Sequence, residues 1–165
     1  MFFIALLPFI VDAQSTVYVS DASGANSSTC GTAGSPCATI QYAVDNIAND
    51  GDTIKIDTGL YKLASSVNQY TPVVKIPEDF SLAFIGTNTG LGTRIDGDTT
   101  RRGFLYYYSG TGCPSSDSNN TISDTIDLYF QDIIVQNCHI VETCGSTTYA
   151  NGGGMRLDCD SSSVM

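Results

Sequence analysis

The stretch from Ala38 to Tyr61, ATIQYAVDNIANDGDTIKIDTGLY, has the pattern of a helix followed by a stop and a strand. Thr39 is the expected N-cap of the helix, and Gly51 is its expected C-terminal stop. A helix of about three turns is marginal alone in water, so its apolar stripe is expected to cover a hydrophobic surface. The stripe has helical spacing and consists of Ile40, Ala43, Val44, Ile47 and Ala48.

Short apolar strands follow at intervals near twenty residues. Ile54-Lys55-Ile56 is followed by Val74-Lys75-Ile76 and then by Thr93-Arg94-Ile95, with polar turn residues between them. Self-similarity at such a period predicts a solenoid whose strands stack from turn to turn in parallel sheets. The alternative is an antiparallel sandwich, which lacks clear hairpin signals between strands of matching length.

The charge of the chain excludes some classes of partner. Seven Lys and Arg face seventeen Asp and Glu in 165 residues, a net charge of −10. No basic patch is available to follow a phosphate backbone, so nucleic-acid binding is disfavoured, and anionic membrane surfaces are disfavoured for the same reason. The length is sufficient for one domain with a core.

The first residues read as a targeting segment. Met1 to Val11 is apolar and uncharged and is too short to span a bilayer, which takes about 20 apolar residues. We interpret residues 1–13 as a signal peptide, which leaves residues 14–165 as the mature domain. The alternative interpretation is a buried first strand.

Cysteines and sequons also favour secretion. Six Cys at spacings unlike those of zinc sites indicate disulfides, for which fifteen pairings are open. A bridge between Cys30 and Cys37 is predicted because it closes a short polar loop that has nothing else to hold it. Asn26 and Asn119 begin acceptor sequons for N-glycosylation.

Several motifs together carry a family resemblance. They are Val17–Ser20, Cys30-Gly31, Ser35–Gln41, Ala43-Val44, Gly51–Ile54, Gly59–Tyr61, Phe84–Gly86, Thr93–Gly97 and Gly152–Gly154. With these motifs the chain resembles the N-terminal cap and first turns of right-handed parallel β-helix proteins of the pectin-lyase-like superfamily, closely over residues 16–97 and loosely over the remainder. The resemblance implies an all-β fold: a right-handed parallel β-helix with an N-terminal amphipathic capping helix, the cap spanning 14–61 and the turns 62–165.

The end of the chain has no second cap. Residues 159–165, Cys-Asp-Ser-Ser-Ser-Val-Met, follow directly on the start of a turn. We therefore expect the solenoid to be truncated at its C-terminal side, with four or five turns.

The superfamily's enzymes act on acidic polysaccharides, and their residue types have one counterpart here. Asp96 and Asp98 are candidate Ca²⁺ ligands, and Arg101 and Arg102 lie close to them in sequence. Asp-Gly-Asp is also ordinary turn chemistry, which is the interpretation we favour. Tyr107 is a candidate platform for stacking a sugar ring. No residue is assigned a catalytic role, and no cofactor is predicted apart from Ca²⁺ under the lyase interpretation.

Three hypotheses of function remain. The first is a secreted or surface module, non-catalytic, that binds carbohydrate or a surface protein. The second is a polysaccharide lyase or another carbohydrate-active enzyme of the superfamily. The third is a gene fragment without an independent function. No membrane span and no nucleic-acid partner are predicted.

Overall fold

The structure is a computed structural model that describes residues 14–67, 71–77, 80–108, 127–144, 147–152 and 155–159. One short helix and twelve strands occur within these ranges. In chain order the elements are β1 (Thr16–Val19), α1 (Ile40–Asn46), β2 (Thr53–Ile56), β3 (Gly59–Tyr61), β4 (Val74–Ile76), β5 (Leu82–Ile85), β6 (Thr93–Asp96), β7 (Phe104–Tyr108), β8 (Leu128–Gln131), β9 (Ile133–Gln136), β10 (His139–Cys144), β11 (Thr147–Gly152) and β12 (Met155–Cys159).

Three parallel sheets contain all but two of these strands. The first sheet has the order β1-β2-β5-β8, the second β3-β6-β9 and the third β12-β7-β4. After β2 the chain visits the sheets in a fixed sequence: β3 belongs to the second, β4 to the third, β5 to the first, and the cycle repeats through β9. The predicted predominance of parallel sheets is confirmed, and strands make up most of the regular secondary structure among the described residues.

The core lies where these sheets face one another. Along the first sheet Val17 pairs with Ile54, Ile54 with Phe84 and Phe84 with Phe130, so one apolar side chain stands on the next. Phe104 of the third sheet completes an aromatic cluster, with its ring centroid 5.3 Å from that of Phe84 and 4.9 Å from that of Phe130. Phe84 and Phe104 are fully buried. Such aromatic contacts contribute about 0.5–1.5 kcal/mol each beyond the area they bury.

The interval of twenty residues is not the repeat of the structure. Ile54 pairs with Phe84, thirty residues on, whereas Val74 belongs to the third sheet and pairs with Phe104. The spacing read from the sequence therefore separates strands of different sheets, and stacked strands lie 30 to 51 residues apart. The prediction that strands twenty residues apart stack on one another was wrong, because strands of all three sheets share the same apolar alternation.

Helix α1 starts where the sequence predicts but is shorter. Thr39 is the N-cap, and its side chain accepts a hydrogen bond from the Tyr42 amide. The helix ends at Asn46, although Ile47 and Ala48 still pack partly buried against the core. The segment after it turns at Asn49, whose amide donates to the Asp52 carboxylate at 2.8 Å, before Gly51 adopts a φ of +83°. Gly51 thus serves the turn into β2 rather than the helix end.

Gln41 joins α1 to the edge of the third sheet. Its Oε1 accepts a hydrogen bond from the Lys75 amide at 2.6 Å, and its Nε2 donates to the Lys75 carbonyl at 3.1 Å. The side-chain amide thus takes the place that a neighbouring strand would hold beside β4. An edge strand otherwise presents unpaired backbone groups that invite association with other chains.

A disulfide-closed loop covers the corresponding edge of the first sheet. Cys30 and Cys37 are bridged, as predicted, with their Cα atoms 4.9 Å apart. Beside β1, the Tyr18 amide donates to the Gly31 carbonyl and the Cys37 amide donates to the Tyr18 carbonyl, both at 2.9 Å. The bridge therefore fixes two backbone partners of the edge strand.

One pair of strands departs from the parallel pattern. β10 and β11 are antiparallel, with Cys144 opposite Thr147. The sequence between them, Gly145-Ser146, is a dipeptide that predicts a two-residue hairpin connection, and both residues lie outside the described part of the chain. The sequence prediction missed this hairpin because it searched for Asn-Gly and Asp-Gly alone.

Replacing Gln41 with Ala tests the edge contact. We expect the free energy of unfolding to fall by about 1–2 kcal/mol, because two hydrogen bonds to Lys75 are lost while helix propensity hardly changes. Urea denaturation measures the change, and hydrogen exchange at the Lys75 amide should become faster. The control is Asn46→Ala, on the exposed side of the same helix, which should leave that amide protected. Equal exchange rates at Lys75 in both variants would contradict the contact.

Candidate functional site

A cleft opens on the outer side of the first sheet, where β1, β2 and β5 end. Its volume is about 180 Å³. The disulfide-closed loop forms one wall through Ala33 and Pro36. The remaining lining residues are Tyr18, Val19, Ser20, Ser23, Lys55, Asp57 and Thr87. We call this the β1–β2 cleft.

The strand register brings the polar lining together. Tyr18 pairs with Lys55 across β1 and β2, and the burial pattern of both strands points these two side chains away from the core. The ammonium of Lys55 lies over the Tyr18 ring, 5.7 Å from its centroid, in a cation–π contact. This contact holds the end of a flexible side chain at the cleft.

The carboxylate of Asp57 stands at the end of β2. Its Oδ1 accepts from the Thr58 amide at 2.8 Å, and the Ser20 hydroxyl lies 3.5 Å from its Oδ2. A carboxylate has about four acceptor positions, and these two contacts leave about half of them open. Ser23 donates its hydroxyl to Ser20 at 3.0 Å and extends the polar wall.

The backbone beneath Asp57 is fixed from the second sheet. The Asp57 carbonyl accepts from the Tyr61 hydroxyl at 3.2 Å and from the Thr93 hydroxyl at 3.0 Å. Burial of Tyr61 raises the pKa of its phenol to about 12, so this donor keeps its proton throughout the physiological range. The turn that carries Asp57 is therefore held rigidly, which favours a preformed cleft.

The predicted metal ligands Asp96 and Asp98 differ in their exposure to solvent. Asp96 is buried at the end of β6, while Asp98 is exposed and has a φ of +51°. The Asp96 carboxylate accepts from the Asp98 amide at 2.8 Å and from the side-chain amides of Gln136 and Asn137 at 3.0 Å each. Its oxygens thus fasten β6 to the end of β9, which is the turn chemistry that the sequence also allowed.

The charge of Asp96 is stabilised by these bonds. Burial by itself raises the pKa of the carboxyl group, but the hydrogen bonds from Gln136, Asp98 and Asn137 outweigh it. The pKa of Asp96 therefore lies below its ordinary value. A low pKa with three protein donors describes a structural carboxylate.

The two arginines of the same segment are buried as well. Arg101 is 3% exposed, and its guanidinium donates to the carbonyls of Ala64 and Val67. Its charge therefore ties the loop after β3 to the turn after β6. Asp96, Asp98 and Arg101 thus lie in the same segment after β6, as the sequence places them. The Arg101 guanidinium, however, is hydrogen-bonded to the carbonyls of the loop after β3.

The remaining predicted site residues are the two glycosylation sites and the stacking tyrosine. Asn26 is exposed, and its side chain accepts from the amides of Ala38 and Thr39 and donates to the Thr39 hydroxyl, so it also fastens the start of α1. Tyr107 lies in β7, with its side chain outside the described part, and Asn119 falls outside the described residues. Glycosylation at Asn26 and Asn119 and stacking on Tyr107 stay predictions.

Cys138 lies beside the Asp96 turn and is a free thiol. Its Sγ is 3.2 Å from the Gln136 carbonyl, to which it donates. Burial raises the pKa of this thiol, and the nearby charge of Asp96 acts in the same direction. Both effects favour the protonated, unreactive form.

The β1–β2 cleft was missed at the sequence level. Tyr18 and Lys55 occupy the same outward position of two alternating strands, which was a usable signal. That signal gains meaning only when β1 and β2 are known to be neighbours in register.

Comparisons with known proteins give no relative. The chain matches no family model, no curated protein and no solved structure. Among the described residues, no helix is long and apolar enough to cross a membrane. Within the same ranges, no three His, Cys, Asp or Glu side chains converge as metal ligands. The resemblance to the pectin-lyase-like superfamily stays a prediction.

The Asp96 contacts predict a pH dependence of stability. Because the folded-state pKa is lowered, the stabilisation by Asp96 is complete above the unfolded value of about 4 and is lost as pH falls through the folded value. The Asp96→Asn variant should be less stable than the natural protein at pH 7, and the difference should shrink toward about pH 2. Urea unfolding across this range measures it. The control Asp98→Asn should leave the stability at pH 7 nearly unchanged; a loss as large as that of Asp96→Asn would contradict a special role for Asp96.

Proposed function

We propose that the chain is a secreted module, built as a right-handed parallel β-helix, that binds carbohydrate without transforming it. The observation that carries this proposal is the β1–β2 cleft, whose lining of hydroxyls, one ammonium, one carboxylate and apolar walls suits a polyhydroxylated ring. Sugar-sized sites combine an apolar surface with a few well-placed polar groups in the same way.

Support for the β-helix comes from the order of the strands. A chain that passes three parallel sheets in a repeated sequence follows a helical path, and its strands stack on those of the preceding pass. The contacts of α1 with β1, β2 and β4 suit an N-terminal cap, since the helix lies against strands of two different sheets. The resemblance of residues 16–97 to the pectin-lyase-like superfamily agrees with this proposal.

Support for secretion comes from the disulfide between Cys30 and Cys37, since such bonds persist mainly in oxidising compartments. The apolar residues 1–11 and the two sequons agree with it. We place the protein outside the cell or at its surface.

Support for binding rather than turnover comes from the Asp96 segment. A lyase of the type considered would need its carboxylates and an arginine directed at substrate. The Asp96 oxygens accept three protein hydrogen bonds and Arg101 donates to the carbonyls of Ala64 and Val67. The Asp96 carboxylate and the Arg101 guanidinium therefore serve hydrogen bonds inside the fold rather than contacts with a substrate.

Glycan binding by the whole chain tests the proposal. On an array that includes neutral and acidic oligosaccharides, we expect the full-length secreted protein to bind at least one glycan and to release it unchanged. Incubation with polygalacturonate and Ca²⁺ should produce no unsaturated product. Asp98→Ala is the control and should bind like the natural protein, because Asp98 is exposed and does not line the β1–β2 cleft.

Two results would contradict the proposal. Failure to bind any glycan would remove the binding role. A Ca²⁺-dependent rise of unsaturated product that disappears in Asp98→Ala would favour the lyase instead.

A further inference from the structure

We infer that the β1–β2 cleft recognises a vicinal diol of a neutral sugar, with Lys55 and Asp57 binding its two neighbouring hydroxyl groups. This inference rests on the proposed function and goes further, because it names the residues and the chemical class of sugar. It concerns the cleft alone and does not involve Asp96 or Tyr107.

The spacing of the two charged groups suits a diol. Lys55 and Asp57 are two residues apart on the extended end of β2, so their Cα atoms are separated by about 6–7 Å. Both side chains are exposed and line the same cleft. One hydroxyl can accept from the Lys55 ammonium while its neighbour donates to the open positions of the Asp57 carboxylate. Hydrogen bonds to charged groups are the stronger kind, so two of them can orient a small ring.

The hydroxyls around the pair complete the same chemistry. Ser20 is almost fully buried, and its Oγ accepts from the Ser23 hydroxyl and faces Asp57. The Thr87 hydroxyl donates to the Ile56 carbonyl at 2.9 Å, which fixes the orientation of this lining side chain. The polar wall is thus already ordered before a ligand arrives, which lowers the entropy lost on binding.

The charge of the cleft favours a neutral ligand over an acidic one. Lys55 is its one cation and Asp57 its one anion among the lining residues, so the local sum is zero. The whole chain carries −10, which repels polyanions at long range. A uronate bound to Lys55 would bring its carboxylate toward Asp57 and meet like-charge repulsion.

Tyr18 acts here as a positioning residue. Its ring holds the Lys55 ammonium above one face, so that face is not available for stacking a sugar. Recognition by hydrogen bonds therefore replaces recognition by an aromatic platform at this site. The ring itself, rather than the phenol, performs this role, so Phe should substitute for Tyr18 and Leu should not.

The test uses matched variants of the full-length protein on neutral and uronic oligosaccharides. The neutral glycan bound most strongly is also presented after periodate treatment, which cleaves vicinal diols. Lys55→Ala and Asp57→Asn should each weaken binding at least about tenfold. Lys75→Ala is the control, since it removes the same charge from an exposed residue of the third sheet and should preserve affinity. Tyr18→Leu should weaken binding and Tyr18→Phe should not.

Each outcome decides between the two proposals. Loss of binding in Lys55→Ala and Asp57→Asn, together with loss after periodate, supports the inference. Glycan binding that survives both substitutions, or binding to uronic oligosaccharides alone, overturns the inference and leaves the carbohydrate-binding role standing. Absence of any glycan binding by the natural protein overturns both.

Discussion

The register between strands that are 30 to 51 residues apart in the chain is the main constraint on this structure. Each inward side chain must stand on an inward side chain of the next strand, as Val17, Ile54, Phe84 and Phe130 do. A slip of one residue would turn the apolar set toward solvent and the polar set into the core. The same register places Tyr18 beside Lys55 on the outside, so the core and the β1–β2 cleft have one cause.

The edges of the sheets impose the second requirement. Parallel strands have no hairpin partner, and an edge must be covered by other groups. Gln41 supplies an amide beside β4, and the loop closed by Cys30 and Cys37 supplies backbone groups beside β1. The stretch from Ala38 to Tyr61 therefore contributes to the fold in two ways. It supplies Gln41, which covers the edge of the third sheet, and it supplies β2, the strand that carries Lys55.

Local features of this fold were readable from the sequence, and long-range ones were not. Apolar alternation identified β2 and β4 as strands, capping preference identified Thr39 as the N-cap, and the short polar loop identified the Cys30–Cys37 bridge. Each of these features depends on residues that are close in sequence. The pairing of Ile54 with Phe84 could not be read, since strands of all three sheets look alike locally. For the same reason Asp96 was predicted as a candidate metal ligand: Gln136 and Asn137, whose side-chain amides donate to its carboxylate, lie 40 and 41 residues further along the chain. The cleft residues were visible as outward positions, but their neighbourhood was not.

Inter-strand nuclear Overhauser effects from β2 test this account most directly. If the chain follows the register described, backbone protons of Ile54 give cross-peaks to backbone protons of β1 near Val17 and of β5 near Phe84. Cross-peaks from β2 to Val74 instead would mean that strands twenty residues apart are neighbours. That result would contradict the three-sheet arrangement and, with it, the cleft formed by Tyr18, Lys55 and Asp57.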